Sequence, residues 1–286
     1  MTYARPDALV STDWLASHLQ SPDVRIVDAS WYLPQQKRDP RAEYDAAHIP
    51  GAVFFDIDEI SDTSSSLPHM MPSPEKFSAR VRKLGLGDGN RIIVYDGQPM
   101  VSACRVWWMF RSFGHRDVAV LDGGLPKWQR EGRPVDDDPP APRDRHFTAR
   151  LDSTLIRDFD QIGASLRNGR EQVIDARAAA RFRGEAPEPR AGLRLGHMPG
   201  AHNLPYNDLI DTASGTMLPA DAIHARFKQA GIDLGKPMAA SCGSGVSACV
   251  VALAAYLAGG KEVAIYDGSW AEWGSRSDAA MAEKPK

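Results

Sequence analysis

Of the three cysteines in this chain, Cys104, Cys242 and Cys249, only Cys242 sits in a run suited to nucleophilic chemistry. It opens Cys242-Gly243-Ser244-Gly245-Val246-Ser247, between a strand candidate at Met238–Ser241 and an apolar helix candidate at Ser247–Ala258. Glycines at 243 and 245 let the backbone curl so that successive N–H groups face one centre, an anion nest at a helix N-terminus. The thiolate is its natural occupant. An ordinary thiol, with a pKa near 8.5, populates that nucleophilic form to only a few per cent at neutral pH. A cysteine-dependent phosphatase needs an arginine six residues after the nucleophile to hold phosphoryl oxygens, and here that position is Ala248. The loop has no charged side chain, which suits a neutral leaving-sulfur site better than a dianion site.

The elements around the loop occur twice. Val101-Ser-Ala-Cys104 recurs as Val246-Ser-Ala-Cys249, and the same spacing carries Val118, Ala119, Asp122, Gly123 and Trp128 onto Val263, Ala264, Asp267, Gly268 and Trp273. His48-Ile-Pro-Gly-Ala52 matches His197-Met-Pro-Gly-Ala201, and Val27-Asp-Ala29 matches Ile174-Asp-Ala176. Matches in one order and one narrow register imply two copies of one fold. Cys104 and Cys249 fall at one repeat position on apolar helices and read as small core residues. The duplicated His48, His197, Asp122, Asp267, Trp128 and Trp273 read as structural. Cys242 has no counterpart: its position in the first copy is Gly97. Where the copies differ, function has room to have been added.

Each half alternates strands and helices. Strands are expected at Val24–Asp28, Ile92–Tyr95 and Val118–Leu121, then at Val173–Asp175, Met238–Ser241 and Val263–Tyr266. Helices are expected at Trp14–Leu19, Pro74–Leu84 and Ser102–Phe113, then at Arg157–Leu166, Ala220–Ala230 and Ser247–Ala258; Ser73 before Pro74 is an N-cap signature. The alternation predicts an α/β protein of two tandem domains, each a mainly parallel central sheet with helices on both faces. The segment Arg133–Arg150, rich in proline and charge, has no periodicity. The division is therefore residues 1–135, a linker at 136–150, and a catalytic domain at 151–286. In this topology the Cys242 loop lies at the carboxyl edge of the sheet, where ligands bind.

Bulk properties narrow the class. The chain has 286 residues, 43% hydrophobic and 25% charged, which is ordinary for two globular domains. A net charge of −3 and pI near 6.2 argue against a dedicated binder of nucleic acid or anionic membrane. No apolar run approaches the roughly 18–20 residues of a membrane span, and the first residues lack a secretory pattern. Three cysteines at these spacings build neither a disulfide framework nor a zinc site, so a reducing, cytoplasmic setting is expected.

The run Cys242-Gly-Ser-Gly-Val-Ser-Ala248 resembles the active loop of the mercaptopyruvate-using branch of the rhodanese superfamily, which usually has Thr where this chain has Ser247. Thiosulfate-preferring members typically carry Arg and Lys after the cysteine, in place of Gly243 and Ser244. The resemblance extends over nearly the whole chain. It includes Val106-Trp-Trp-Met109, Asp175-Ala-Arg177, Arg181-Phe-Arg-Gly184, Pro187-Glu-Pro-Arg190 and Gly196-His-Met-Pro-Gly200, together with an inactive first domain. It implies that Cys242 takes sulfur from 3-mercaptopyruvate as a persulfide and releases pyruvate. The sulfur then passes to a thiol acceptor such as thioredoxin, a small thiol, or cyanide, with no cofactor and no metal. It also implies that Arg181 and Arg190 hold the carboxylate and keto oxygen, beside a loop of Gly243, Gly245, Val246 and Ser247. Two forked guanidiniums suit an α-keto acid. Arg183 and Arg194 are expected to be solvated charges. By matching motif, Asp58, His69 and Ser244 correspond to a proton relay; holding the domain interface is the alternative for Asp58 and His69. A thiosulfate:cyanide sulfurtransferase and a low-turnover sulfur carrier are the rival functions.

Overall fold

The structure, a computed structural model, describes residues 2–282. The first half runs β1 (Leu9–Val10), α1 (Thr12–His18), β2 (Val24–Asp28), α2 (Pro40–Ala46) and β3 (Val53–Phe54). It continues with α3 (Pro74–Lys83), β4 (Arg91–Tyr95), α4 (Ser102–Ser112), β5 (Val118–Leu121) and α5 (Gly124–Arg130). The second half repeats the order: β6 (Ile156–Arg157), α6 (Phe159–Asn168), β7 (Gln172–Asp175), α7 (Ala179–Phe182) and β8 (His202–Asn203). It ends with α8 (Ala220–Gln229), β9 (Met238–Ser241), α9 (Ala248–Leu257), β10 (Val263–Tyr266) and α10 (Ser269–Trp273). Each half is a five-stranded, all-parallel sheet, ordered β1-β5-β4-β2-β3 and β6-β10-β9-β7-β8.

The central strands coincide with the hydrophobic runs to within a residue. The outer strands β1, β3, β6 and β8 have two residues each, too short for any period to show. The short helices α5, α7 and α10 are too brief to show a helical period, whereas α2, also missed in the sequence, has a signal: Asp39 before Pro40 caps it by accepting from the Arg41 and Ala42 N–H groups. Helix α6 begins at Phe159 rather than Arg157 because Asp158 and Gln161 form a reciprocal capping box. Ser73 caps α3 by accepting from the Lys76 N–H, as its place before Pro74 predicts. The linker segment is docked rather than free: Phe147 is buried, and its carbonyl accepts from Ser78 Oγ.

The two halves share a core. Helix α4 packs on α9, and Val106, Trp107 and Phe110 join Val250, Leu253 and Leu257 in one apolar cluster. Burial on this scale, at roughly 25 cal/mol per Å² of apolar surface, makes the interface part of the fold. The N-terminal residues cross to the second domain, where the Ala4 N–H donates to Leu257 O and Tyr3 Oη to Leu218 O. Asp122 and Asp267 do more than shape their turns, because each accepts a backbone N–H from the other domain. Asp122 takes Met217 at 2.8 Å and Asp267 takes Met71 at 2.6 Å.

The first domain keeps the loop shape but closes it internally. Met100 and Gly245, at equivalent repeat positions, both have positive φ, 50° and 74°. The Asp96 carboxylate fills the first turn's nest, accepting from Met100 N, Ser102 Oγ and Ala103 N at 3.0–3.1 Å. A Cβ on Gly97 would lie 2.2 Å from Tyr32 Oη, which Glu43 and Arg38 fix in place. Gly97→Ala should therefore cost about 1–3 kcal/mol, measured as a lowered urea midpoint. Burial pushes the Asp96 pKa up to about 6, against the three hydrogen bonds it accepts. Between its unfolded value near 3.9 and that value, the native state holds a proton that the unfolded chain has lost. Stability then falls as pH rises through this window, by on the order of 2–3 kcal/mol for this group. Asp122, likewise pushed up to about 6 by burial, adds a similar slope. Asp96→Asn should flatten part of the fall between about pH 4 and 6 in denaturation curves; an unchanged slope would refute this assignment.

Candidate active site

Cys242 follows β9 directly, at the carboxyl edge of the second sheet, and is only 2% exposed. Helix α10 holds the base of its loop. The Cys242 N–H donates to Ser269 Oγ at 3.2 Å, the Cys242 carbonyl accepts from Trp270 N, and the Gly243 carbonyl accepts from Ala271 N. Among the described residues, no backbone N–H from Gly243 to Ser247 donates to a protein acceptor. The nest is thus free to receive an anion. Gly245 needs its positive φ, and a Cβ there would lie 3.1 Å from Arg105 Nη1 and 3.2 Å from the Asp267 carbonyl. Cys104 and Cys249 are fully buried on α4 and α9, as expected for core residues, and burial raises both thiol pKa values.

Ser244, His69 and Asp58 come together across the domain interface. Ser244 Oγ lies 3.0 Å from His69 Nδ1, and His69 Nε2 lies 3.0 Å from Asp58 Oδ1. The second Asp58 oxygen accepts from Trp31 Nε1 at 3.0 Å, and the Trp31 ring meets the His69 ring edge-on. If Nε2 carries a proton toward the carboxylate, Nδ1 is the acceptor for the Ser244 hydroxyl. Burial alone would raise the Asp58 pKa. The hydrogen bond and charge of His69 override it and hold the carboxyl below its ordinary range.

Arg181 and Arg190 converge on the other side of the loop. A Cβ on Gly243 would lie 3.4 Å from Arg181 Nη2 and 3.7 Å from Arg190 Nη1, so glycine leaves room for both heads. The two are not equivalent. Arg181 is already paired with Glu188, a buried carboxylate that also pairs with Arg177. Arg190 has no carboxylate partner among the described residues; its hydrogen bond goes to Ser244 Oγ at 3.3 Å. Burial lowers its pKa, and the Cys242 sulfur opposes that shift. The cleft over Cys242 measures about 150 Å³, and the first domain supplies Trp31, Leu33 and Gln98 to its wall. A larger hollow, about 400 Å³ beneath the linker, lies at the opposite, amino-terminal edge of the first sheet, and no cysteine lines it.

One sequence expectation needs correction here. Arg194 is not a solvated charge, because it donates to the carbonyls of Trp273, Gly274 and Ala279 and fixes the segment after α10. Arg183, in contrast, is exposed and pairs with Glu185 as a surface charge does. Sequence reasoning also missed Arg105 of α4, which is 1% exposed and reaches the loop at Gly245. A signal was available: the repeat places Arg105 opposite Val250, a charge in one copy of the helix where the other copy is apolar. His197 and His48 hold turn carbonyls, Phe182 O and Tyr44 O, and stay outside the site.

The rhodanese-like domain family matches the chain twice, at residues 11–131 and 158–276. The chain is 46% identical to human 3-mercaptopyruvate sulfurtransferase, over 94% of this chain and 93% of that protein. It is 45% identical to mouse thiosulfate sulfurtransferase, with the same two coverages. Among solved structures, SseA of Escherichia coli, described with 3-mercaptopyruvate sulfotransferases, superposes with a TM-score of 0.84 at 40% identity. That match covers 92% of this chain and 98% of SseA.

The unpaired state of Arg190 sets an order of effects. A small carboxylate such as pyruvate, bound beside Cys242, should lose about ten- to a hundredfold in affinity on Arg190→Ala, equivalent to about 1.5–3 kcal/mol for a charge-assisted contact. Arg181→Ala should cost less, because Glu188 already engages its fork. Inhibition constants for pyruvate measure both; a reversed order would show that Arg181 is the principal anchor.

Proposed function

Because the chain belongs to the rhodanese family and carries two copies of its domain, we propose that it is a sulfurtransferase using 3-mercaptopyruvate as donor and Cys242 as the sulfur carrier. The observation that carries this reading is the unfilled N–H nest around Cys242 with the Ser244–His69–Asp58 chain beside it. The Cys242 thiolate attacks the donor sulfur, and the bond from that sulfur to C3 breaks, leaving its electron pair on the pyruvate enolate. The proton that C3 gains is the one the donor thiol gives up, passed through Ser244 Oγ and His69 Nδ1. Asp58 steadies the imidazole while it carries charge. Arg190, with Arg181 beside it, holds the carboxylate and keto oxygen so that the sulfur faces Cys242. The outer sulfur of the resulting persulfide rests in the nest, where backbone N–H groups stabilise its negative charge.

An acceptor thiolate then attacks that outer sulfur and restores Cys242. The narrow cleft and the burial of Cys242 favour a small thiol, or one presented on a slender protrusion, with thioredoxin the protein candidate. Three free cysteines fit a reducing compartment, and the cytoplasm is the proposed setting. Among the described residues, no helix is long and apolar enough to cross a membrane.

The test combines mass and kinetics. After donor treatment, one extra sulfur should be found on Cys242, and Cys242→Ser should abolish transfer while Cys104→Ser and Cys249→Ser keep most of it. With cyanide as common acceptor, kcat/KM for 3-mercaptopyruvate should exceed that for thiosulfate by at least about tenfold, or roughly 1.4 kcal/mol. The loop supplies no side-chain cation to a dianionic donor. Equal or reversed preference would instead make this a thiosulfate sulfurtransferase.

A further inference from the structure

Arg105 is an anomaly in its surroundings. Every residue of α4 is buried, and a guanidinium there has been stripped of water, which is tolerable only with close partners. Arg105 has partners from both domains. Its Nη2 donates to the His69 carbonyl at 2.5 Å and to Asp267 Oδ1 at 2.8 Å, its Nη1 donates to the Gly245 carbonyl at 3.2 Å, and its face lies 4.7 Å from the Trp108 ring centre. These contacts straddle the Ser244–His69 hydrogen bond. Gly245 adjoins Ser244 in the second domain, and His69 lies in a first-domain loop with a left-handed φ of 61°, a conformation that costs about 1–2 kcal/mol for a residue with a side chain. Asp267 closes the ring by accepting the N–H of Met71.

We propose that Arg105, with Asp267, is a positioning residue for the proton-transfer step: one guanidinium holds the backbone at both ends of the Ser244–His69 contact in register across the domain interface. This rests on reading that contact as the proton path. Arg105 is not among the residues lining the substrate cleft, so its loss should lower kcat rather than raise KM. It should also depend on the donor. The enolate leaving from 3-mercaptopyruvate must be protonated at carbon, whereas sulfite leaving from thiosulfate is a stable anion that requires no proton.

The experiment compares Arg105→Met, Arg105→Lys and Asp267→Asn with His69→Ala as reference, measuring pyruvate from one donor and sulfite from the other with cyanide as acceptor. Thermal melting monitors folding. Asp267→Asn keeps the side-chain volume and carries the measurement if Arg105→Met does not fold. Arg105→Met and Asp267→Asn should lower kcat for 3-mercaptopyruvate at least about tenfold more than kcat for thiosulfate, with KM within about threefold. Arg105→Lys should recover part of the loss, since an ammonium keeps the charge but cannot fork to all three oxygens. Equal losses with the two donors, or a change confined to KM, would overturn the proposal. If His69→Ala itself fails to discriminate between donors, the proton path is wrong. If only His69→Ala discriminates, the path stands and the role of Arg105 falls.

Discussion

A run of backbone N–H groups without acceptors, in a largely buried loop, is the constraint from which the site follows. At the end of β9 the chain turns through Gly243 and Gly245 into α9, and the amides from Gly243 to Ser247 have no acceptor among the described residues. Buried amides require partners. The first domain meets the same requirement at its equivalent turn with Asp96, a side chain of the loop itself placed directly after β4 and ionised at neutral pH. The second domain has Ser241 at that position, and its hydroxyl is buried with no hydrogen-bond partner among the described residues. On the proposed reading, the acceptor there is the sulfur that Cys242 receives and gives up. The two loops thus answer one electrostatic demand with a fixed anion and an exchangeable one.

That division gives the first domain its role. Tyr32 and Gly97 occupy the place of the nucleophile there, yet this domain brings His69, Asp58 and Trp31 to the loop of Cys242, and on the proposed reading they serve its chemistry. Neither half holds a complete site. The α4–α9 core and the reciprocal aspartate contacts at Met71 and Met217 hold the halves at one spacing, so hydrogen bonds of 3.0 Å form between residues far apart in sequence. Glu188 has a comparable role within the second domain. By pairing with both Arg177 and Arg181, it fixes one guanidinium at the cleft and leaves Arg190 as the less satisfied cation.

The central strands, the long helices and the α/β class were legible because their hydrophobic runs are long enough to carry a period. The duplication served as an internal control and isolated Cys242. The resemblance to a known family then pointed to His69 and Asp58, which no local pattern singles out, and to Ser244, Arg181 and Arg190, which lie where the two copies differ. What stayed hidden depends on distance in space. Two-residue edge strands have no period, and the grip of Arg194 on the segment after α10 is visible only once that segment has folded back. Asp122 and Asp267 looked like turn residues because their partners lie in the other domain. The pairing of Arg181 with Glu188 could be suspected from their nearness in sequence, but only geometry separates Arg181 from Arg190.

The crossing of the N-terminal residues also bears on how the chain is made. Tyr3, Ala4 and Arg5 are held by Leu218, Leu257 and Gly260, residues synthesised more than two hundred positions later. During translation the first domain can close its own sheet, but its leading segment has no dock and the apolar outer face of α4 has no cover until α9 emerges. Contacts at such sequence separation slow the search for the native state, and the interval exposes Trp107 and its neighbours to association with other chains. The helix pair that unites the finished enzyme is therefore also an uncovered apolar surface while the chain is being made.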